Sequence, residues 1–368
     1  MKIVLFVHSL ASDWNHGNAH FLRGIVAELR ARQHDVRVFE PRDGWSIKNL
    51  VNDHGTAPLE AFRDRFPHLS SSSYDLDTLD LDGALDGAEL VLVHEWNDPE
   101  LVRMVGLRRR GSSFRLLFHD THHRAVTAPE AMQRYDLSDY DGVLAFGTFL
   151  RELYLERGWA ERAWTWHEAA DTRVFQALEH EGPRQDLVWI GNWADGERTE
   201  DLRTFLLEPA RALGLSGSVH GVRYPAEARR ELRRSGLRYR GWLANTDVPG
   251  VFAAHRVTVH VPRRPYATAL PGIPTIRPFE ALASGIPLVS APWDDIDGLF
   301  RAGEDYLVVR DGAELARALT AVLRDPELAR SLRERGLETI TARHTCAHRV
   351  DELLGIAAAL GKSARQAA

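Results

Sequence analysis

Residues 277–290 read RPFEALASGIPLVS. Pro278 sits in the first turn of a helical pattern, where no backbone N–H is needed. Gly285 is a natural stop, and Pro287 prevents continuation. A helix start presents unpaired N–H groups and a partial positive charge, so it favours phosphate. Arg277 adds a full charge, and Glu280, one turn on, can accept hydrogen bonds from two ribose hydroxyls. Amide donors, a cation and a diol acceptor together describe a nucleotide-diphosphate site. The same residues also allow a plainer reading. An acidic group early in a helix is stabilising by itself, and a helix before a buried strand is ordinary.

A second cluster is HDTHH, which begins at His119, with His94 and Glu95 earlier in the chain. The ligand types suit zinc, but the spacing of His119, His122 and His123 matches no strong metal pattern. Satisfied histidines are the plainer account, and no metal is expected.

Both stretches need elements to hold them. Strands are expected at 3–7, 36–39, 90–93, 114–118 and 143–146, with helical patterns between most of them and a first long helix over 17–32. Runs bare of polar residues suit strands covered on both faces, hence a parallel sheet. Residues 41–87 are polar, acidic and serine-rich, and read as a mobile loop or an inserted subdomain. The rhythm restarts near 183, with strands at 187–190, 219–222, 237–240, 257–261 and 307–309. Helices are expected at 198–213, 276–284, 313–323, 326–336 and 347–360. This alternation is α/β: two doubly wound halves joined near 170–185. Ligands in such sheets bind beyond the carboxyl ends of the strands, and two facing halves would make a cleft.

The 368 residues suit two domains of about 180 each. With 44% hydrophobic and 27% charged residues, the composition is that of a globular protein. A net charge of −6 gives no global basic field for nucleic acid. The basic runs at 108–110 and 229–240 read as solvated helix faces, or else as a patch for an anionic acceptor or peripheral membrane contact. The lone Cys346 excludes an internal disulfide framework. The N-terminal apolar run, about five residues, is too short for a secretory signal, and nothing approaches the ~20 apolar residues of a membrane span. The expected location is cytoplasmic.

RPFEALASGIPLVS resembles the donor-site signature of GT-B glycosyltransferases, especially the family 4-like and CgeB-like groups. Further stretches occur in the corresponding order. HGNAHFLRGIVAELRARQHDVRVFEP resembles the first loop, helix and second strand. RLLFHDTHH resembles the strand ending in a sugar-facing His, and AADTRVF the linker after the N-terminal domain. LVWIGNWADGERTEDL resembles the first donor-domain strand and loop, and LRYRGWL the strand near the nucleobase. The likeness spans nearly the whole chain. It implies two Rossmann-like doubly wound domains facing a central cleft. These would be an acceptor-binding domain over 1–170, a donor-binding domain over 171–346, and a C-terminal helix over 347–368 that crosses back to the first.

The resemblance implies transfer of a hexosyl-type group from a nucleotide-diphosphate sugar to an acceptor hydroxyl, with retention and without metal or other cofactor. His119 is the implied catalytic contact, and Asp120 the candidate for activating the acceptor. Donor contacts are expected from Gly17, Asn18, Asn192, Trp193, Arg198, Gly272, Thr275, Ile276, Arg277 and Glu280, with Trp242 and Leu243 lining the base pocket. Arg198 at a helix start is an unfavourable place for a cation, so it reads either as a phosphate contact or as a surface charge. Two departures stand out. Gly272 occupies the position where family 4 members commonly carry a sugar-contacting glutamate, and the lysine that often follows the arginine is missing after Arg198. They leave room for a non-catalytic nucleotide- or carbohydrate-binding protein, or an epimerase acting on the nucleotide sugar. The acceptor, whether carbohydrate, lipid, protein or small molecule, is left open.

Overall fold

The alternating runs form two all-parallel sheets with helices between their strands. The computed structural model describes residues 1–193 and 196–366. One compact unit comprises Met1–Glu168 together with the chain from Cys346 onward, and the other Ala169–Thr345.

The first unit has seven strands: β1 (Lys2–Phe6), β2 (Asp35–Pro41), β3 (Ser72–Tyr74), β4 (Leu90–His94), β5 (Arg115–Asp120), β6 (Gly142–Ala145) and β7 (Ala163–Thr165). Their order is β3-β2-β1-β4-β5-β6-β7. In β4, LVLVH, every residue is buried, which is why the run carries no alternation. The second unit has β8 (Gln185–Ile190), β9 (Gly217–His220), β10 (Leu237–Gly241), β11 (His255–His260), β12 (Leu288–Ser290) and β13 (Leu307–Val308). Their order is β10-β9-β8-β11-β12-β13. In both sheets the winding reverses beside the first strand, between β1 and β4 and between β8 and β11. A doubly wound sheet opens its ligand crevice at that point, beyond the carboxyl ends.

Residues 41–87 are built into the fold. Helices Trp45–His54 and Ala57–Arg65 lead to β3, which pairs with β2. In β3, SSY, only Tyr74 is buried, so the segment shows no apolar pattern. β7 lies at the other edge and was likewise not expected. β5 runs two residues further than the apolar pattern, so His119 and Asp120 lie inside the strand.

The helix expected at 198–213 is broken into Thr199–Leu202, a π turn at Arg203–Leu207, and Glu208–Leu213. Pro209 has no N–H for the carbonyl four residues back, and the wide turn precedes it. The C-terminal helix Cys346–Gln366 packs in the first unit on helix Ala19–Ala31. Arg32 Nη2 donates to the Ala347 carbonyl at 3.2 Å, and Trp166 Nε1 to the Arg349 carbonyl at 2.8 Å. The last two residues of the expected 347–368 segment lie outside those described. No described helix is long and apolar enough to cross a membrane.

Candidate functional site

In the second unit the loops after β8 and β11 meet at the switch point. The helix Ile276–Ala283 stops as its sequence predicts. Gly285, at φ +63°, donates to the Leu282 carbonyl at 3.1 Å, and Ile286 to the Ala281 carbonyl at 3.3 Å. This is a Schellman closure, which needs a left-handed residue. The helix start is less relaxed. Thr275, its N-cap, has φ +64° and ψ −177° and makes no side-chain cap. That backbone region is nearly exclusive to glycine and costs a threonine about 1–3 kcal/mol. With no cap, the amides of Ile276 and Arg277 have no intrahelical partner and stay available to an anion.

Three guanidinium groups gather here. Arg198 is half-buried, donates from Nη1 to the Val261 carbonyl at 2.7 Å, and lies 5.4 Å from the Trp189 ring centre. Its Nε is sealed from water without a partner. Burial, then the charge of Arg263, pull its guanidinium down to about 9, and Arg277 adds to the drop. Arg263 is paired with Glu197 at 3.4 Å. Arg277 is paired with the fully buried Glu280 one turn away. His260, at the end of β11, is held down to about 3 by burial, with the charges of Arg198 and Arg277 contributing. Its Nδ1 lies 2.9 Å from Ser290 Oγ.

The other expected donor residues fall on two sides. Gly272 has φ +84°, and a Cβ there would meet Asp297 Cγ and Ile296 Cγ1, each at 3.0 Å. A carboxylate from the loop after β12 thus lies against the bare glycine. Asn192 Oδ1 accepts the Val222 N–H at 3.0 Å, tying the loop after β8 to the loop after β9. Trp193 is 6% exposed and packs on Tyr224 in the core, which gives it a packing role. Trp242 and Leu243 are half-buried just beyond β10, two strands from the switch point. Neighbouring Arg240 and Asp247 line a cavity of about 480 Å³ with Ser218 and His220.

In the first unit the carboxyl edge is crowded with imidazoles. His8 and His16 follow β1, His94 closes β4, and His119 lies in β5. Ring centres are 5.0 Å apart for His8–His16 and 5.1 Å for His94–His119. Burial holds His8 down to about 4 and His119 to about 3, and drives His16 and His94 well below the ordinary value. All four are therefore neutral at pH 7. His119 is 2% exposed, between Phe21 and Trp166, and its Nε2 has no partner. Asp120 is more committed than the sequence suggests. Its oxygens accept the His122 N–H at 3.0 Å and the Tyr154 O–H at 2.7 Å. Burial pushes its carboxyl up to about 6. Glu95 is fully buried and paired with Arg124; burial, then the charge of Asp120, push it up to about 8 against the pull of Arg124. Asn18 Nδ2 donates to Thr121 Oγ1 at 2.6 Å, and His94 Nε2 lies 3.1 Å from the same oxygen. Thr121 thereby ties the loop before the first helix to the end of β4, while Gly17 is exposed beside Asn18.

The sequence reading missed His8, His16, His260, Arg263 and Asp297. They are single residues brought in by separate strands, with no local spacing to reveal them. Among the described residues, no group of three or more His, Cys, Asp or Glu side chains is placed to hold a metal ion.

Residues 198–355 match a family model described as "Glycosyl transferase-like". No curated protein sequence matches the chain. Among solved structures, sucrose-phosphate synthase from Thermosynechococcus elongatus is similar at 15% identity, with 99% of this chain and 100% of that chain covered and a TM-score of 0.65. Anabaena Alr3699/HepE in complex with UDP-glucose is similar at 13% identity, with 96% and 99% covered and a TM-score of 0.68. An alpha-glucosyltransferase in complex with UDP and a 13-mer DNA containing a HMU base is similar at 12% identity, with 97% and 99% covered and a TM-score of 0.64. At such identities the structural likeness establishes the fold. The chain thus has the GT-B architecture, two parallel-sheet Rossmann-like units, and its residues 198–355 form a glycosyl transferase-like segment.

Proposed function

We propose that the chain is a cytoplasmic glycosyltransferase that moves a hexosyl group from a nucleotide-diphosphate sugar to an acceptor hydroxyl, with retention of configuration. One observation carries this reading: at the β8/β11 switch point, an uncapped helix start on a strained Thr275 lies with Arg198 and Arg277. The amides of Ile276 and Arg277 bind the diphosphate, and the two guanidiniums offset the charge that builds on it as the sugar leaves. In this reading the transfer uses no bound metal.

Glu280 is fully buried against Arg277, so its first task is to aim that guanidinium. Asp297 supplies the sugar-facing carboxylate beside the position that Gly272 leaves bare. Trp242 and Leu243 flank the base, and Asn192 fixes the loop behind it. On the acceptor side, the sealed Nε2 of His119 reaches a hydroxyl only after a side-chain shift. Asp120 positions the loop carrying His122, since both its oxygens are engaged.

The test is a thermal-shift screen with UDP, GDP, ADP, dTDP and their sugars. One base family raises the melting temperature by mass action. A flat response to all of them refutes the reading.

A further inference from the structure

Two tryptophans are left open at the carboxyl edge of the first sheet. Trp45 is 46% exposed and Trp96 39%, and no other tryptophan stands among the exposed large apolar side chains of the described residues. Two such large rings open on one edge, each held by an aromatic or cationic neighbour, are placed to stack on a ligand. Trp45 opens the helix that follows β2, and Trp96 lies two residues beyond β4. β2 and β4 flank β1, so their ends stand ~10 Å apart.

Both rings are held in place. Trp14 meets Trp45 edge-on, with centres 5.0 Å apart, and Trp14 Nε1 donates to Asp53 at 2.9 Å. The Arg124 guanidinium lies over Trp96, 4.2 Å from the ring centre, and His122 meets it edge-on at 4.9 Å. Arg124 is itself pinned by the Glu95 carboxylate and carbonyl. Two fixed aromatic plates with open surface are suited to the C–H faces of sugar rings. The same edge holds buried polar atoms without partners: His16 Nε2, Glu95 Oε1, His119 Nε2 and Arg124 Nε. Such atoms cost free energy while unpaired, and a side-chain shift of the kind His119 needs would bring them to hydroxyl groups, which both donate and accept.

Charge selects among ligands with rings. A nucleic acid strand needs a rail of free cations for its phosphates. Here Arg124 is committed to Glu95 and Trp96, burial keeps His8 and His94 neutral, and the chain carries a net charge of −6. A lipid surface would ask for a continuous apolar face, whereas these plates are separate and rimmed by polar groups. We propose that this edge is the acceptor platform for a neutral oligosaccharide, with Trp45 and Trp96 as its two stacking subsites. The term acceptor rests on the transferase reading; the binding itself does not.

The experiment titrates the full chain with maltotetraose, cellotetraose, xylotetraose and chitotetraose, followed by saturation-transfer NMR, with an oligo-dT octamer and anionic lipid vesicles alongside. At least one tetrasaccharide binds, and Trp45→Ala and Trp96→Ala each weaken it about fivefold or more. Trp96→Phe restores most of the binding, and the nucleotide-induced melting shift stays intact in every variant. The proposal is overturned if no tetrasaccharide binds while a nucleotide still shifts the wild type. It is overturned equally if both alanine variants bind like wild type, or if they lose DNA or vesicle binding instead. Tryptophan-dependent sugar binding without any nucleotide shift would uphold the platform and sink the transferase reading.

Discussion

Arg198 is costly to the empty protein, and replacing it should make the chain more stable while weakening nucleotide binding. Burial pulls its guanidinium well below the ordinary arginine value, by more than three pH units, to about 9. At 1.36 kcal/mol per unit, that corresponds to about 4–5 kcal/mol of disfavoured charge. Arg198 is half-buried, and solvent at its tip screens part of this, so we take about 2 kcal/mol. Arg198→Met keeps an aliphatic stem over Trp189 but loses the bond to Val261, worth about 1 kcal/mol. The net gain of about 1 kcal/mol raises the apo melting temperature by roughly 2–4 °C for a unit of this size. In the ligand-bound state the order reverses. At 100 times its Kd, a nucleotide stabilises the wild type by about 2.7 kcal/mol. Losing one charged hydrogen bond weakens binding ~30-fold, so the same concentration stabilises the variant by under about 1 kcal/mol. Differential scanning fluorimetry with and without the nucleotide reads both numbers. A variant less stable than wild type in the apo state, with an unchanged nucleotide shift, would refute the reasoning.

Other outcomes follow from the same geometry. Thr275→Gly removes a disfavoured backbone state and should stabilise the apo chain by up to about 1 kcal/mol; a lower melting temperature would show that Thr275 is not strained. Gly272→Glu puts a side chain against Asp297 at positive φ and should cost about 1–3 kcal/mol, measured by urea denaturation. Arg277→Ala takes the ion partner from a fully buried carboxylate and should cost about 3 kcal/mol, so nucleotide affinity is better compared in Arg277→Lys. His8 and His119 have folded values near 4 and 3, below the unfolded 6.5, so the stability they contribute is present above pH 6.5 and is lost as the pH falls toward those values. Accordingly kcat/KM should show no limb at pH 6.5 from these residues, and a limb there that vanishes in His119→Asn would contradict their neutrality.

What could be read from the sequence divides by distance along the chain. The helix Ile276–Ala283 was legible because proline, glycine and the apolar run act within a few residues of one another. So was the parallel character of β1 and β4, which burial writes as unbroken apolar runs. β3 and β7 were not, because edge strands of three residues leave too little buried surface to impose a pattern. Trp193 could not be assigned from its loop position, since only the fold turns it toward Tyr224. Arg277 and Glu280 were both singled out, yet their pairing appears only once the helix places them one turn apart. Asp297 carries no signal of its own; only the contact with Gly272 gives it meaning.

The claim at the centre is that peptide amides and guanidinium groups at the β8/β11 crevice hold a pyrophosphate. The most direct measurement is a crystal structure of the chain soaked with the nucleotide that gives the largest melting shift. The account predicts phosphate oxygens on the amides of Ile276 and Arg277, within reach of Arg198. A nucleotide seated elsewhere, with residues 272–280 untouched, would contradict it.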